Sequence, residues 1–254
     1  MKRSAKACWA KPAALDYVAV LRLVNPYSLG DASKGRSLGG EMKQRFLAMC
    51  GVIAPVFFVF IAILGGAMRP GYSHFSDTIS ELFSPGSPNK LLLDTLHTIY
   101  AFLLVLFGIG VLQFVRTSHR SRLIGIFGAS AFIAMGLGSV LSATLFPQDA
   151  WGSSPTFAGQ MHQFVHGVIS LLSILYMMLI GIWMNRAEGL PRFQTYSFIT
   201  VGAVVLSAGF FVANLGSPIM GLAERISGLV GFQWTFVLAL WMFSRKGYAG
   251  WQVH

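Results

Sequence analysis

The sequence predicts an all-α integral membrane protein: a bundle of six transmembrane helices with both termini in the cytoplasm and a short amphipathic helix in the first outer loop. Three observations carry that reading. Six apolar runs, at 46–68, 91–115, 123–146, 161–184, 197–215 and 226–243, divide the chain, and each falls in the range of roughly 17–25 residues that a helix needs to cross the hydrocarbon layer. Only 11% of the residues are charged and 54% are hydrophobic, against about 25% charged in ordinary soluble domains. The 19 Lys and Arg are also segregated: nine lie in 1–45, three in 116–122, two in 185–193 and two at 245–246, while the alternate connections hold only Arg69, Lys90 and Arg225. By the positive-inside rule, the loops 69–90, 147–160 and 216–225 then face outward.

Taken in order, residues 1–44 form a basic cytoplasmic tail expected to be disordered. The segment 13–24 is too short to span and carries Asp16 and Arg22, so it reads either as an interfacial helix or as part of that tail. Pro12, Asn25, Pro26 and the Gly/Ser-rich 30–40 favour the tail. Met42 opens a basic-then-apolar stretch that also reads as an alternative start. The membrane domain is expected over 45–245 and a cytoplasmic C-terminus over 246–254. The first run contains Pro55, which removes a backbone donor. The third carries Gly125, Gly128, Gly136 and Gly138, and the fifth region Gly202, Gly209 and Gly216, small residues that allow close helix approach. Trp183 and Trp241 are placed as inner interfacial anchors, Tyr72 and Trp151 as outer ones. Cys8 and Cys50 both fall on the cytoplasmic side, so no disulfide is expected. The formal charge of +10 is a topology signal directed at anionic headgroups, not a nucleic-acid signal; the partner is the bilayer, and nothing in the sequence sets an oligomeric state.

Polar chemistry collects at the outer ends. Asp94 and His97 stand i,i+3 at the head of the second run, and His162 and His166 stand i,i+4 at the head of the fourth, so each pair shares a helical face. Ser170 and Ser173 continue the second face inward. Two His one turn apart plus a third on another helix suit a zinc site with an open position, where Asp94 or Asp149 acts as base or supporting carboxylate. The arrangement resembles the alkaline-ceramidase and adiponectin-receptor type of membrane hydrolase, which pairs H-x-x-x-H on one helix with a single His on another; that resemblance implies hydrolysis of a lipid or amide bond. A transporter of a small solute would instead use Ser139, Ser142, His166, Ser170, Ser173 and Asn214, although the first, third, fifth and sixth helices carry no mid-membrane acid or base. A non-catalytic accessory protein is the third class, consistent with the absence of G-x-S-x-G and H-E-x-x-H.

The first outer loop, Arg69-Pro70-Gly71-Tyr72 through Ile79-Ser80-Glu81-Leu82, contains a T-x-x-E capping box at Thr78 and Glu81 beside Ile79, Leu82 and Phe83. Ser84-Pro85-Gly86-Ser87-Pro88 ends it. This block, with Phe146-Pro147-Gln148-Asp149, His162 and Gly221-Leu222-Ala223-Glu224-Arg225, resembles the bacterial multi-pass family catalogued as domain-of-unknown-function family 998. The likeness covers about 45–245 and implies a six-helix protein of the bacterial cytoplasmic membrane with no assigned activity. It marks Arg69, Tyr72, Ser80, Glu81, Glu224 and Arg225 as an outer-face motif. Glu224 and Arg225 are expected to pair with charges on the first loop, such as Arg69 or Asp77, closing a cap or forming a site for a lipid headgroup or small molecule.

Overall fold

The computed structural model of the chain describes residues 38–245; the greater part of the expected tail and the segment 246–254 lie outside them. Six helices follow in order: α1 (Leu38–Met68), α2 (Lys90–Thr117), α3 (Arg122–Thr144), α4 (Phe157–Glu188), α5 (Pro191–Ala213) and α6 (Met220–Ser244). Each contains a stretch long and apolar enough to cross a membrane, and there is no strand among the described residues. A spanning helix satisfies its own backbone, which is why hydropathy alone locates these elements. α1 begins ahead of its apolar run and continues through Pro55.

Each helix packs on its neighbours in sequence, and α6 closes on α1, giving a ring. The middle is filled by aromatic side chains. Phe58 of α1 meets Tyr100 of α2 and Phe232 of α6 at 4.9 Å between ring centroids. A second chain of rings runs Phe107, Phe132, Tyr176, Trp234 and Phe193, crossing from α2 through α3, α4 and α6 to α5. Such edge-on contacts each add about 0.5–1.5 kcal/mol beyond the area they bury. Trp234 also donates to Ser197 Oγ at 2.9 Å, and Tyr176 shares a hydrogen bond with Thr235.

Two expectations about packing are corrected. Trp183 and Trp241 are not interfacial anchors: they are 0% and 5% exposed, packed edge-on or tilted against Phe114, because the ring geometry turns that face inward. The glycines of α3 do admit close neighbours, since a Cβ on Gly125 would lie 2.5 Å from Val115 Cγ1 and 2.8 Å from Trp183 Cδ1. Those of α5 do not: a Cβ on Gly202 or Gly209 meets nothing within 4 Å. Gly216 lies beyond α5, at φ +75°.

The helix expected in the first loop is a single 3-10 turn, Ser80–Phe83, with Leu82 and Phe83 buried. The capping box forms around it. Thr78 N–H donates to Glu81 Oε2 at 3.0 Å, and Glu81 N–H donates to Thr78 Oγ1 at 3.3 Å. The turn packs on α1 and α2, so it closes one end of the ring, called here the capped end.

Candidate functional site

The capped end is built from the first loop and the head of α6, joined by hydrogen bonds that span 144–153 residues of sequence. Glu224 receives the backbone N–H of Ile79 and, at 2.9 Å, the hydroxyl of Ser80. Arg225 donates to the carbonyls of Asp77 (2.9 Å) and Gly221 (2.8 Å), to Tyr72 Oη (2.6 Å) and to His74 Nδ1 (3.0 Å). A guanidinium only donates, so His74 carries its proton on Nε2 in this arrangement. Tyr72 donates its own O–H to Thr78 O at 2.9 Å, and burial pushes the pKa of its hydroxyl up to about 12 against the pull of Arg225. Arg69 donates to Glu81 O at 2.8 Å, and Arg69 and Arg225 both lie within 6 Å of the Tyr72 ring centroid, at 5.9 and 5.7 Å.

The expected ion pairs are therefore replaced by something else. Arg225 takes the backbone carbonyl of Asp77, while the Asp77 carboxylate accepts from Ser73 N–H and Ser76 Oγ. Glu224, Arg225 and Arg69 are hydrogen-bonded to loop backbone; Arg225 acts on Glu224 electrostatically without forming a close ion pair with it. This follows from geometry: a tight loop next to apolar helices has many peptide groups that water does not reach, and charged side chains satisfy them strongly.

Next to this cap sits the histidine cluster. His97 is 9% exposed, and its ring is surrounded by Phe58, Phe83 and Tyr100, with Phe83 of the 3-10 turn 5.2 Å away between centroids. Its Nδ1 is buried without a partner. His162 is 7% exposed; its Nδ1 donates to Phe146 O at 2.8 Å, and the Ser142 backbone also lies within hydrogen-bonding reach of the ring. The His162 and His166 rings lie 4.3 Å apart at 30°, and His166 is within electrostatic reach of both His162 and His97. Among the described residues, no three His, Cys, Asp or Glu side chains are grouped so as to hold a metal ion.

The two carboxylates expected beside the histidines have different surroundings. Asp94 pairs with Lys90 at 2.6 Å and its other oxygen is buried without a partner. Asp149 accepts the N–H and the hydroxyl of Thr156, at 2.8 and 2.7 Å, bonds that hold its carboxyl below the usual carboxylate range. Thr156 in turn caps α4 by accepting from Gly159 N–H at 3.1 Å, so Asp149 braces the helix that carries His162 and His166. The hydroxyl stripe is intrahelical: Ser142, Ser170 and Ser173 donate to Ser139 O, His166 O and Ser170 O. Sequence reasoning missed Phe83 and Tyr100 as walls of the His97 pocket, because apolar residues in apolar runs carry no mark. It also missed Thr156, which its position just before a helix start could have revealed.

Residues 52–241 match the family described as protein of unknown function (DUF998), and the chain belongs to it. No curated protein and no solved structure matches.

Proposed function

We propose that this member of the DUF998 family is a multi-pass protein of the bacterial cytoplasmic membrane, with both termini in the cytoplasm, that works through the histidine cluster under its outward-facing cap. In this reading His97, His162 and His166 take a divalent metal, zinc by the all-imidazole donor set, and the substrate is a lipid or amide bond reaching the site from the outer leaflet. One observation carries the reading: the buried ring of His97 has an Nδ1 with no partner, and an unsatisfied polar atom at such depth calls for a ligand or a water. The His162 bond to Phe146 O fits the same chemistry, since ligating histidines hold their other nitrogen on a carbonyl or carboxylate. A bound metal supplies a polarising centre and an activated water. Asp94, with one oxygen unengaged, is the better candidate for a base; Asp149 positions α4. The aromatic filling below the histidines favours a blind site over a through-pore.

A second reading has its own support. No metal-ready group of three is present among the described residues, which suits a purely structural cluster in a non-catalytic accessory protein. Elemental mass spectrometry on the purified protein separates the two. Close to one metal per chain, lost in a His162→Ala, His166→Ala double variant, together with a melting temperature lowered by chelator at neutral pH, is the expected result. No metal and indifference to chelator would remove the hydrolase reading.

A further inference from the structure

The connection after α3 folds over the head of α4 and leaves an open cup of roughly 350 Å³, near the small end of the range of about 300–1,000 Å³ typical of ligand clefts. Neither the three histidines nor the arginines of the cap line it, although Asp149 on its wall lies within electrostatic reach of His162. Its chemistry is carried by Gln148, Asp149, Trp151, Ser153, Gln160 and Gln163, and no Lys, Arg or His lines it. Trp151 is 56% exposed, and its ring lies close to Gly216, where a Cβ would stand 3.2 Å from Trp151 Cζ2. The backbone N–H of Trp151 donates to Glu81 Oε1 at 3.4 Å. Gln163 of α4 donates to Gln148 of the loop at 2.6 Å, which fixes both amides across the cup. The side-chain amide of Gln160 is exposed on the same wall.

This inventory selects a ligand class. With no cation on its walls, the cup has nothing to hold phosphate or carboxylate. A single aromatic face, beside a carboxylate already engaged by Thr156, makes a poor cage for a quaternary ammonium, which is recognised by several rings together. Three amides and a hydroxyl both donate and accept, which matches groups that do the same, namely hydroxyls. A flat, half-exposed indole suits the C–H face of a pyranose ring, amphipathic in the same sense. We propose that this cup binds a neutral sugar of one or two rings, a property that stands whether or not the histidines bind metal. An anchor role alone would account for an exposed Trp near the headgroups, but not for its sharing one concavity with three amides.

The test uses full-length protein in nanodiscs holding equal amounts of monoglucosyl diacylglycerol, phosphatidylcholine and phosphatidylglycerol, with retained lipid measured by native mass spectrometry. A second arm measures saturation transfer to free methyl β-glucoside. Enrichment of the glucolipid or transfer to the free glucoside supports the proposal and tells the lipid-borne source from the free one. Trp151→Ala should lower retention about three- to tenfold, Trp151→Phe should preserve most of it, and Gln160→Ala with Gln163→Ala should abolish it. The glutamine pair keeps the test valid if the Trp151→Ala protein is unstable. Preferential retention of phosphatidylcholine or phosphatidylglycerol, no sugar signal in either arm, or sugar binding unchanged by all the variants would overturn it.

Discussion

Removing the Glu224 carboxylate should release the first loop from α6. The Ile79 N–H and the Ser80 hydroxyl donate to it, with the Ser80 backbone N–H also within reach. A hydrogen bond to a charged group contributes about 1.5–3 kcal/mol, and a buried donor left without an acceptor costs about 1–3 kcal/mol. Ser80 can rotate toward Thr78 or solvent, so the cost falls mainly on the fixed backbone N–H. Glu224→Ala should therefore destabilise the protein by about 2–3 kcal/mol, which at about 2–4 °C per kcal/mol for a chain of this size lowers the melting temperature by roughly 4–12 °C. Glu224→Gln keeps one acceptor but points an N–H at the other donor, and should fall between wild type and Ala. A local readout tells loop release from general loosening. Ser84 is 2% exposed, next to the 3-10 turn, so Ser84→Cys in a background free of other cysteines should react slowly with a hydrophilic maleimide. Adding Glu224→Ala should speed that reaction more than it speeds reaction at Cys50, which is buried in α1, followed in a separate variant that keeps Cys50 as its sole cysteine. A melting temperature within about 1 °C of wild type, with Ser84→Cys still protected, would refute the claim that this carboxylate pins the loop.

Three further outcomes follow from the same geometry. In a double-mutant cycle, Asp77→Asn and Arg225→Gln should couple by less than about 0.5 kcal/mol, because Arg225 binds the Asp77 carbonyl, which the first change leaves intact; coupling well above 1 kcal/mol would mean that the carboxylate is the true partner. Asp149 is held below the ordinary carboxylate value by Thr156, so its stabilisation is complete above the unfolded value of about 3.9 and is lost as pH falls through the lower folded value; the melting-temperature gap between wild type and Asp149→Asn should be flat over pH 5–8 and close only under stronger acid, and a gap that closed near neutrality would contradict the assignment. Gly51→Ala should destabilise by about 1–3 kcal/mol, since the new Cβ lies 2.5 Å from Phe107 and 2.8 Å from Ala239, whereas Gly202→Ala should be neutral or stabilise by up to about 1 kcal/mol; chemical denaturation in detergent reads both, and equal effects would mean the two glycines share one environment.

How much of this was legible in the sequence depended on how far apart the interacting residues lie. The spans were readable because hydropathy sums over a whole helix and a membrane helix needs no partner for its backbone. The capping box at Thr78 and Glu81 was readable because both residues sit within one turn. Which way each helix faces was not. Gly125 and Gly202 are the same residue in similarly apolar surroundings, yet one is pressed against Trp183 and the other is open; the packing of α3 on α2 and α4 decides it for Gly125. Trp183 was misplaced for the same reason.

The candidate site divides along the same line. Same-face spacing placed His162 beside His166 correctly, and their rings do meet. It said nothing of Phe83 lying on His97, a contact made when the first loop folds back over α2. The charged motif was found as letters, but its role came out differently, because the charges at Asp77, Glu224 and Arg225 are matched to peptide groups rather than to one another. That difference has a physical consequence for the histidines. An ion-paired cap could slide or re-pair while remaining satisfied, since a charge attracts at any angle. A cap held by directional bonds to particular N–H and C=O groups is satisfied in one arrangement only, and that arrangement fixes where Phe83 sits. The loop's charges therefore set the surroundings of His97 through the position of Phe83, without touching it.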